Sequence, residues 1–175
     1  MSGPENEVDV TGPSDDPLEA VYRAHATRLR RYASRLTRDD EAGADVVQDA
    51  FVRVRAARGT PTDLDDLRFY VVRTIVNLTH NRARRAEVAE RALPWLRSDG
   101  PATLPAERED ELAASVARLP LRQREVVYLR YWLDLDVART AEALGISTGS
   151  VKTHTSRALA QLRGLLDGTE MDHDR

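Results

Sequence analysis

Apolar side chains recur at helical spacing along most of this chain, and one stretch rich in proline, residues 93–106, cuts the pattern in two. Leu18, Val21, Tyr22, Leu29, Tyr32, Ala33 and Leu36 mark a first helix that opens at Pro17, with Asp16 placed to cap it. Val46, Val47, Ala50, Phe51 and Val54 share one face of a second, over about 41–57. A loop at Arg58–Asp63 contains Gly59 and Pro61, and a third helix follows over about 64–92, burying Leu67, Val71, Thr74, Ile75 and Leu78. Residues 93–106 then bring three prolines and a glycine. Beyond them Leu112, Val116 and Leu119 form a stripe, Pro120 interrupts, and Gln123–Trp132 carries Val126, Val127 and Tyr128. Two further helices are expected over about 135–144 and 148–166. A helical period on both sides of a Pro/Gly break predicts an all-α fold of two small helical domains. Their bounds are 17–92 and 107–167, with a linker at 93–106 and disordered tails at 1–16 and 168–175.

Charge is arranged in opposed patches that the formal net charge of −3 conceals. Glu5, Glu7, Asp9, Asp15, Asp16 and Glu19 precede any basic residue, whereas Arg23 to Arg38 holds six arginines and no acid. Arg82, Arg84 and Arg85 form a second basic cluster. With no cysteine, disulfides, thiolate zinc and thiol catalysis are excluded. No apolar run is long enough to span a bilayer and no signal peptide opens the chain, so no membrane insertion and a cytoplasmic location are expected.

The segment from Asp136 to Leu159 has the spacing of a helix-turn-helix. Ala141 is small where two helices must approach, Gly145 suits the tight turn, and Val151 can lock the second helix. Ser147 is placed to cap that helix. Val151, Ala158, Leu159 and Leu162 would face inward. Lys152, Thr153, Ser156 and Arg157 would then face outward, a basic and hydrogen-bonding surface suited to a major groove.

The flanking run Leu119-Pro-Leu-Arg-Gln-Arg-Glu-Val-Val-Tyr-Leu-Arg-Tyr resembles the opening of domain four of bacterial RNA polymerase sigma factors. Asp45-Val-Val-Gln-Asp-Ala-Phe-Val-Arg-Val resembles the polymerase-binding helix of their domain two, and Leu67 to Arg85 resembles the −10-reading and melting segment. With no domain three between the halves, the chain is similar to the extracytoplasmic-function (ECF) class, with an actinobacterial flavour in Arg130–Trp132 and Thr155–Ala158. The resemblance implies binding to core RNA polymerase, through the β′ clamp helices and the β flap, and to promoter DNA. Carried over residue by residue, it implies that Asp45, Gln48 and Asp49 meet the polymerase. Arg73, Asn77, His80, Asn81 and Arg84 would read the −10 element, on one polar face of the third helix. Arg130, Lys152, Thr153, Ser156 and Arg157 would read the −35 element. An anti-sigma factor is a further partner the class admits.

Two other classes compete. Ser150–Arg157 also resembles the recognition helix of ordinary activators, which would bind duplex DNA without polymerase. An enzyme is the third class. His25, His80, His154 and His173 form no ligand pair at helical spacing, and no phosphate-cradling glycine loop is present. Asp63, Asp65 and Asp66 read as helix capping and N-terminal charge, not as a metal site. No catalytic residue, metal or cofactor is expected.

Overall fold

The computed structural model describes residues 16–92 and 110–170; the tail at 1–15, the linker and the last five residues lie outside that range. Among the described residues there are seven α-helices and no strand. They are α1 Pro17–Thr37, α2 Asp40–Ala56, α3 Leu64–Ala92, α4 Asp110–Ala117, α5 Leu121–Val127, α6 Val137–Leu144 and α7 Thr148–Glu170. A π-helical turn, Tyr128–Trp132, continues α5.

The N-terminal half is a three-helix unit closed by local signals. Asp16 caps α1 by accepting from the Leu18 amide at 3.0 Å, and Pro17 occupies the first turn where its missing N–H costs nothing. That amide, with the Arg55 guanidinium at 2.5 Å, holds the Asp16 carboxyl below its ordinary pKa. Asp39 caps α2 through Ala42, and Asp63 caps α3 through the amides of Asp65 and Asp66. Each such cap stabilises by about 1 kcal/mol. Arg38 ends α1 in the left-handed conformation, φ 59°, so α2 turns straight back against α1. The two helices cross at Gly43, where a Cβ would lie 2.4 Å from the Ser34 backbone nitrogen. Only glycine permits that approach. Leu29, Tyr32, Val46, Val47, Val71, Val72, Ile75 and Val76 fill the core beneath.

The C-terminal half mixes apolar and polar burial. Val116, Leu119, Val126, Leu129, Val151, Ala158 and Leu162 are buried, but so are Arg124, Glu125 and Thr140. Arg124 donates to the carbonyls of Ala117 and Leu119 at 2.9 and 3.1 Å, capping the end of α4 with a side chain.

Three apolar positions differ from the periodicity. Leu112, expected on the buried stripe of α4, is 55% exposed and lines an open groove of about 490 Å³ with Tyr128, Tyr131 and Trp132. Tyr22 is 48% exposed and packs edge-on against Phe51 across α1 and α2. Leu159, expected inward, sits at the edge of the α7 stripe at 37% exposure. Leu112 lies on a helix of only eight residues, and each of the three sits beside the buried stripe of its helix, which is narrow on a small body.

The two halves touch. Tyr32 of α1 meets Tyr128 edge to face, with centroids 6.2 Å apart, and α3 packs along α6.

Candidate nucleic-acid and polymerase interface

α6 and α7 form the helix-turn-helix. Asp136 caps α6 through Arg139 N at 2.7 Å, Gly145 closes it at φ 64°, and Ser147 Oγ caps α7 through Ser150 N at 3.0 Å. Ala141 and Val151 are buried at the crossing, as their spacing requires. Lys152, Thr153, Ser156 and Arg157 are all exposed on α7. The Thr153 hydroxyl donates to Gly149 O within the helix, so toward a ligand it can act only as an acceptor. Arg130 is set apart from these four. It is half-buried on the π-helical turn and donates to Leu135 O at 2.9 Å, which ties that turn to the loop before α6. An arginine engaged with backbone in this way has a structural task whatever else it touches.

On α2, Asp45, Gln48 and Asp49 are exposed on one face while Val46, Val47 and Ala50 are buried on the other. Asp45 stands 3.6 Å from Arg82 of α3, so its charge is shared with the basic cluster. Asp49 lines a concavity with Arg53 of α2 and with Asn81, Arg82 and Arg85 of α3's basic face.

The face expected to read the −10 element is split by the fold. Asn77, Asn81 and Arg84 are exposed. Arg73 and His80 turn instead toward the C-terminal half: Arg73 Nη1 lies 2.9 Å from Glu142, and His80 Nε2 lies 2.5 Å from Glu125. The five residues share one face of α3, within an arc of about 100° at 3.6 residues per turn, and the edge at 66, 69, 73 and 80 is the one covered. Glu125, at 1% exposure, is also held by Arg122 at 3.0 Å. The sequence pattern did not single out Glu125, Glu142 or Arg139, and it marked Asp66 for capping and N-terminal charge but not for its pair with Arg139. The sole hint was Glu125, an acid inside an apolar run. Asp66 pairs with Arg139 at 2.7 Å, beside the cap at Asp63, so the acidic start of α3 is used for capping and pairing. Among the described residues no group of three or more metal-ligating side chains comes together.

A glycine-turned helix-turn-helix with a basic, outward second helix, joined to a three-helix unit with separate acidic and Asn/Arg-rich faces, defines a helical DNA-binding protein of two parts. Comparison sharpens this. The family Sigma-70 region 2 matches residues 21–88, and Sigma-70, region 4 matches residues 109–162. The chain is 34% identical over 159 residues to an RNA polymerase sigma-E factor of Streptomyces avermitilis, covering 89% of this chain and 88% of that one. It is 29% identical over 150 residues to the ECF RNA polymerase sigma factor SigM of Mycobacterium tuberculosis, covering 85% and 76%. Its fold is similar to that of the sigma factor RpoE from Bartonella quintana, solved with the anti-sigma factor NepR, at TM-score 0.68, 21% identity and 86% and 94% coverage. CnrH, solved with the cytosolic domain of CnrY, matches at TM-score 0.60, 25% identity and 86% and 88% coverage. The chain belongs to the RNA polymerase sigma factor family, as an ECF sigma factor of actinobacterial type. A stand-alone activator leaves the match over residues 21–88 without an account.

Proposed function

We propose that this sigma factor divides its work among three exposed faces. Asp45, Gln48 and Asp49 dock on the basic clamp helices of core polymerase; acidic side chains presented on a rigid helix suit that partner. Asn77, Asn81 and Arg84, joined by Arg73 and His80, hold the melted strand at −10. Lys152, Thr153, Ser156 and Arg157 enter the major groove at −35, with Arg130 supporting the motif from behind. The domains carrying these faces run from 17 to 92 and from 107 to 167. The observation that supports this reading best is that α7 presents four polar residues outward over a core of Val151, Ala158 and Leu162. Polymerase supplies the chemistry of transcription, and the chain supplies recognition. No described helix is long and apolar enough to cross a membrane. A cytoplasmic role follows from the proposed partner, and an anti-sigma factor is the regulator proposed by likeness to the two complexes above. Run-off transcription with core polymerase on promoter fragments tests the reading directly. Specific transcripts that require the chain support it; their absence on every fragment refutes it. Asp49→Arg combined with Gln48→Ala should remove core binding while leaving the helical circular dichroism unchanged. A double variant that still forms holoenzyme at wild-type affinity would place the interface elsewhere.

A further inference from the structure

We propose that Gly149 sets the depth at which α7 seats in −35 DNA: with no side chain there, the first turn of the helix lies directly against the groove, and a β-carbon would hold it off. This role presupposes that α7 reads the −35 element, as proposed above.

The described glycines divide by what the fold asks of them. Gly59 and Gly145 take positive φ, 72° and 64°, and Gly43 lies where a Cβ would meet backbone. Gly149 answers to neither reason. It is helical and exposed. Beyond its chain neighbours and the helix backbone, the nearest atom to a Cβ placed there is Ser147 Oγ, at 3.7 Å. That is ordinary van der Waals contact, so alanine fits the free chain. Alanine is also the better helix former, so glycine here lowers the stability of α7.

A reason for the bare position comes from its surroundings on the outer surface. At about 100° per residue, Gly149 lies opposite the buried line of Val151, Ala158 and Leu162. Thr153 and Ser156 continue the line of Gly149 one and two turns on, and all three are exposed. Lys152 and Arg157 flank that line, about 60° to one side and about 80° to the other. The outer surface is thus a low ridge of backbone and short side chains with a long cation on each slope. Thr153 keeps the ridge low, because its hydroxyl is bonded back to Gly149 O at 3.0 Å. Such a ridge suits a helix pressed into a major groove, where the ridge meets base edges while Lys152 and Arg157 reach out on either side. A side chain at 149 would lift the ridge and lengthen the contacts beside it together.

Gly164 serves as the control. It is exposed on α7 with open space around a Cβ, but it lies about two turns beyond Arg157.

Holoenzyme is assembled from core polymerase and the full chain as wild type, Gly149→Ala, Gly149→Leu or Gly164→Ala. Each is titrated by fluorescence anisotropy against a labelled promoter duplex that the wild-type holoenzyme transcribes. Gly149→Ala should weaken binding severalfold and Gly149→Leu about tenfold or more, the size of a lost base contact. The melting temperature of both free chains should stay at or above wild type. Gly164→Ala should match that stability and bind as wild type. A steadier helix with a weaker complex is an outcome that a merely structural role for Gly149 would not produce. Wild-type promoter binding by Gly149→Leu overturns the proposal. So does a loss of binding that follows a loss of stability, or an equal loss in Gly164→Ala. Lys152→Ala and Arg157→Ala in the same assay read the surface separately. If they weaken binding and Gly149→Leu does not, α7 reads the −35 element and the seating role is wrong. If none of these variants weakens binding, α7 is not the reading surface and both fall.

Discussion

The two surfaces proposed to read DNA differ in how the fold presents them. On α7, Lys152, Thr153, Ser156 and Arg157 are exposed, and among the described residues none is paired with the other half of the chain. On α3, Asn77, Asn81 and Arg84 are exposed, but Arg73 and His80 are engaged by Glu142 and Glu125. One surface stands ready and the other is partly covered. The difference follows from geometry. α7 is supported from behind by α5 and α6 and exposes its far side, whereas α3, like α1, packs against both halves. The helix at the seam is therefore the one whose polar face is partly covered where the halves meet.

The contrast is broken most severely by removing the ground under α3. Gly43→Val forces a branched side chain into a space where even a Cβ lies 2.4 Å from backbone. A shift of α1 against α2 costs on the order of 1–3 kcal/mol or more. The N-terminal half should melt first in a thermal scan followed by circular dichroism, while Lys152-dependent −35 contacts in a competent holoenzyme are lost only in proportion to folded protein. A wild-type melting temperature would show that the crossing is not as close as described.

A smaller effect is expected at Glu125. Its carboxylate is buried between His80 and Arg122, and Glu125→Ala leaves both without that acceptor. The cost is about 1–3 kcal/mol, below that of a fully buried pair because Arg122 is nearly half exposed. Glu125→Gln, which keeps an acceptor, should recover much of the loss in a denaturant titration. Equal destabilisation by both would mean that charge, not hydrogen bonding, dominates at this site.

On the open surface, Lys152→Ala and Arg157→Ala should leave stability within about 0.5 kcal/mol of wild type. Their effect belongs in promoter binding by holoenzyme. The residue that contacts phosphate should weaken binding across sequences and flatten its salt dependence, and the one that reads a base should lose about 1–3 kcal/mol at one position. Unchanged promoter binding for both would remove α7 from the recognition surface.

The smallest expected effect is a pH dependence near the seam. Burial first, then the charges of Arg68 and Arg28, holds the pKa of His25 below its ordinary value. The fold therefore favours the neutral ring. Its contribution is fully present above the unfolded pKa, about 6.5, and is lost as pH falls from there through the lower folded-state value. His25→Gln should flatten the change in melting temperature between neutral and mildly acidic pH. A profile identical to wild type would assign that dependence to other groups.

Much of this was readable beforehand, and for physical reasons. Asp16, Gly145 and Ser147 act through bonds to near neighbours and Pro17 through its fixed φ in the first turn, so their roles follow from spacing alone. The same is true of the outward side of α7, because a helix's period fixes which residues oppose Val151 and Leu162. The covered edge of α3 was not readable. Arg73 lies 69 positions from Glu142 and Asp66 lies 73 from Arg139, and no local pattern pairs residues at such range. Arg130 shows the same limit at shorter range. Family likeness implies a DNA contact at this position, yet Nη1 of its guanidinium is bonded to the loop that folds back at Leu135.

This chain is expected to recognise promoters as part of polymerase and not by itself. A net charge of −3 offers the free chain no general attraction to DNA, and two small reading surfaces gain from joint binding only when their separation matches the promoter. The most direct measurement is a mobility-shift titration of one promoter duplex with the full chain, with and without core polymerase. Weak binding by the chain alone and a sequence-specific, chain-dependent complex once core is added is the predicted result. Tight, specific binding by the chain alone, unchanged by core, would contradict it.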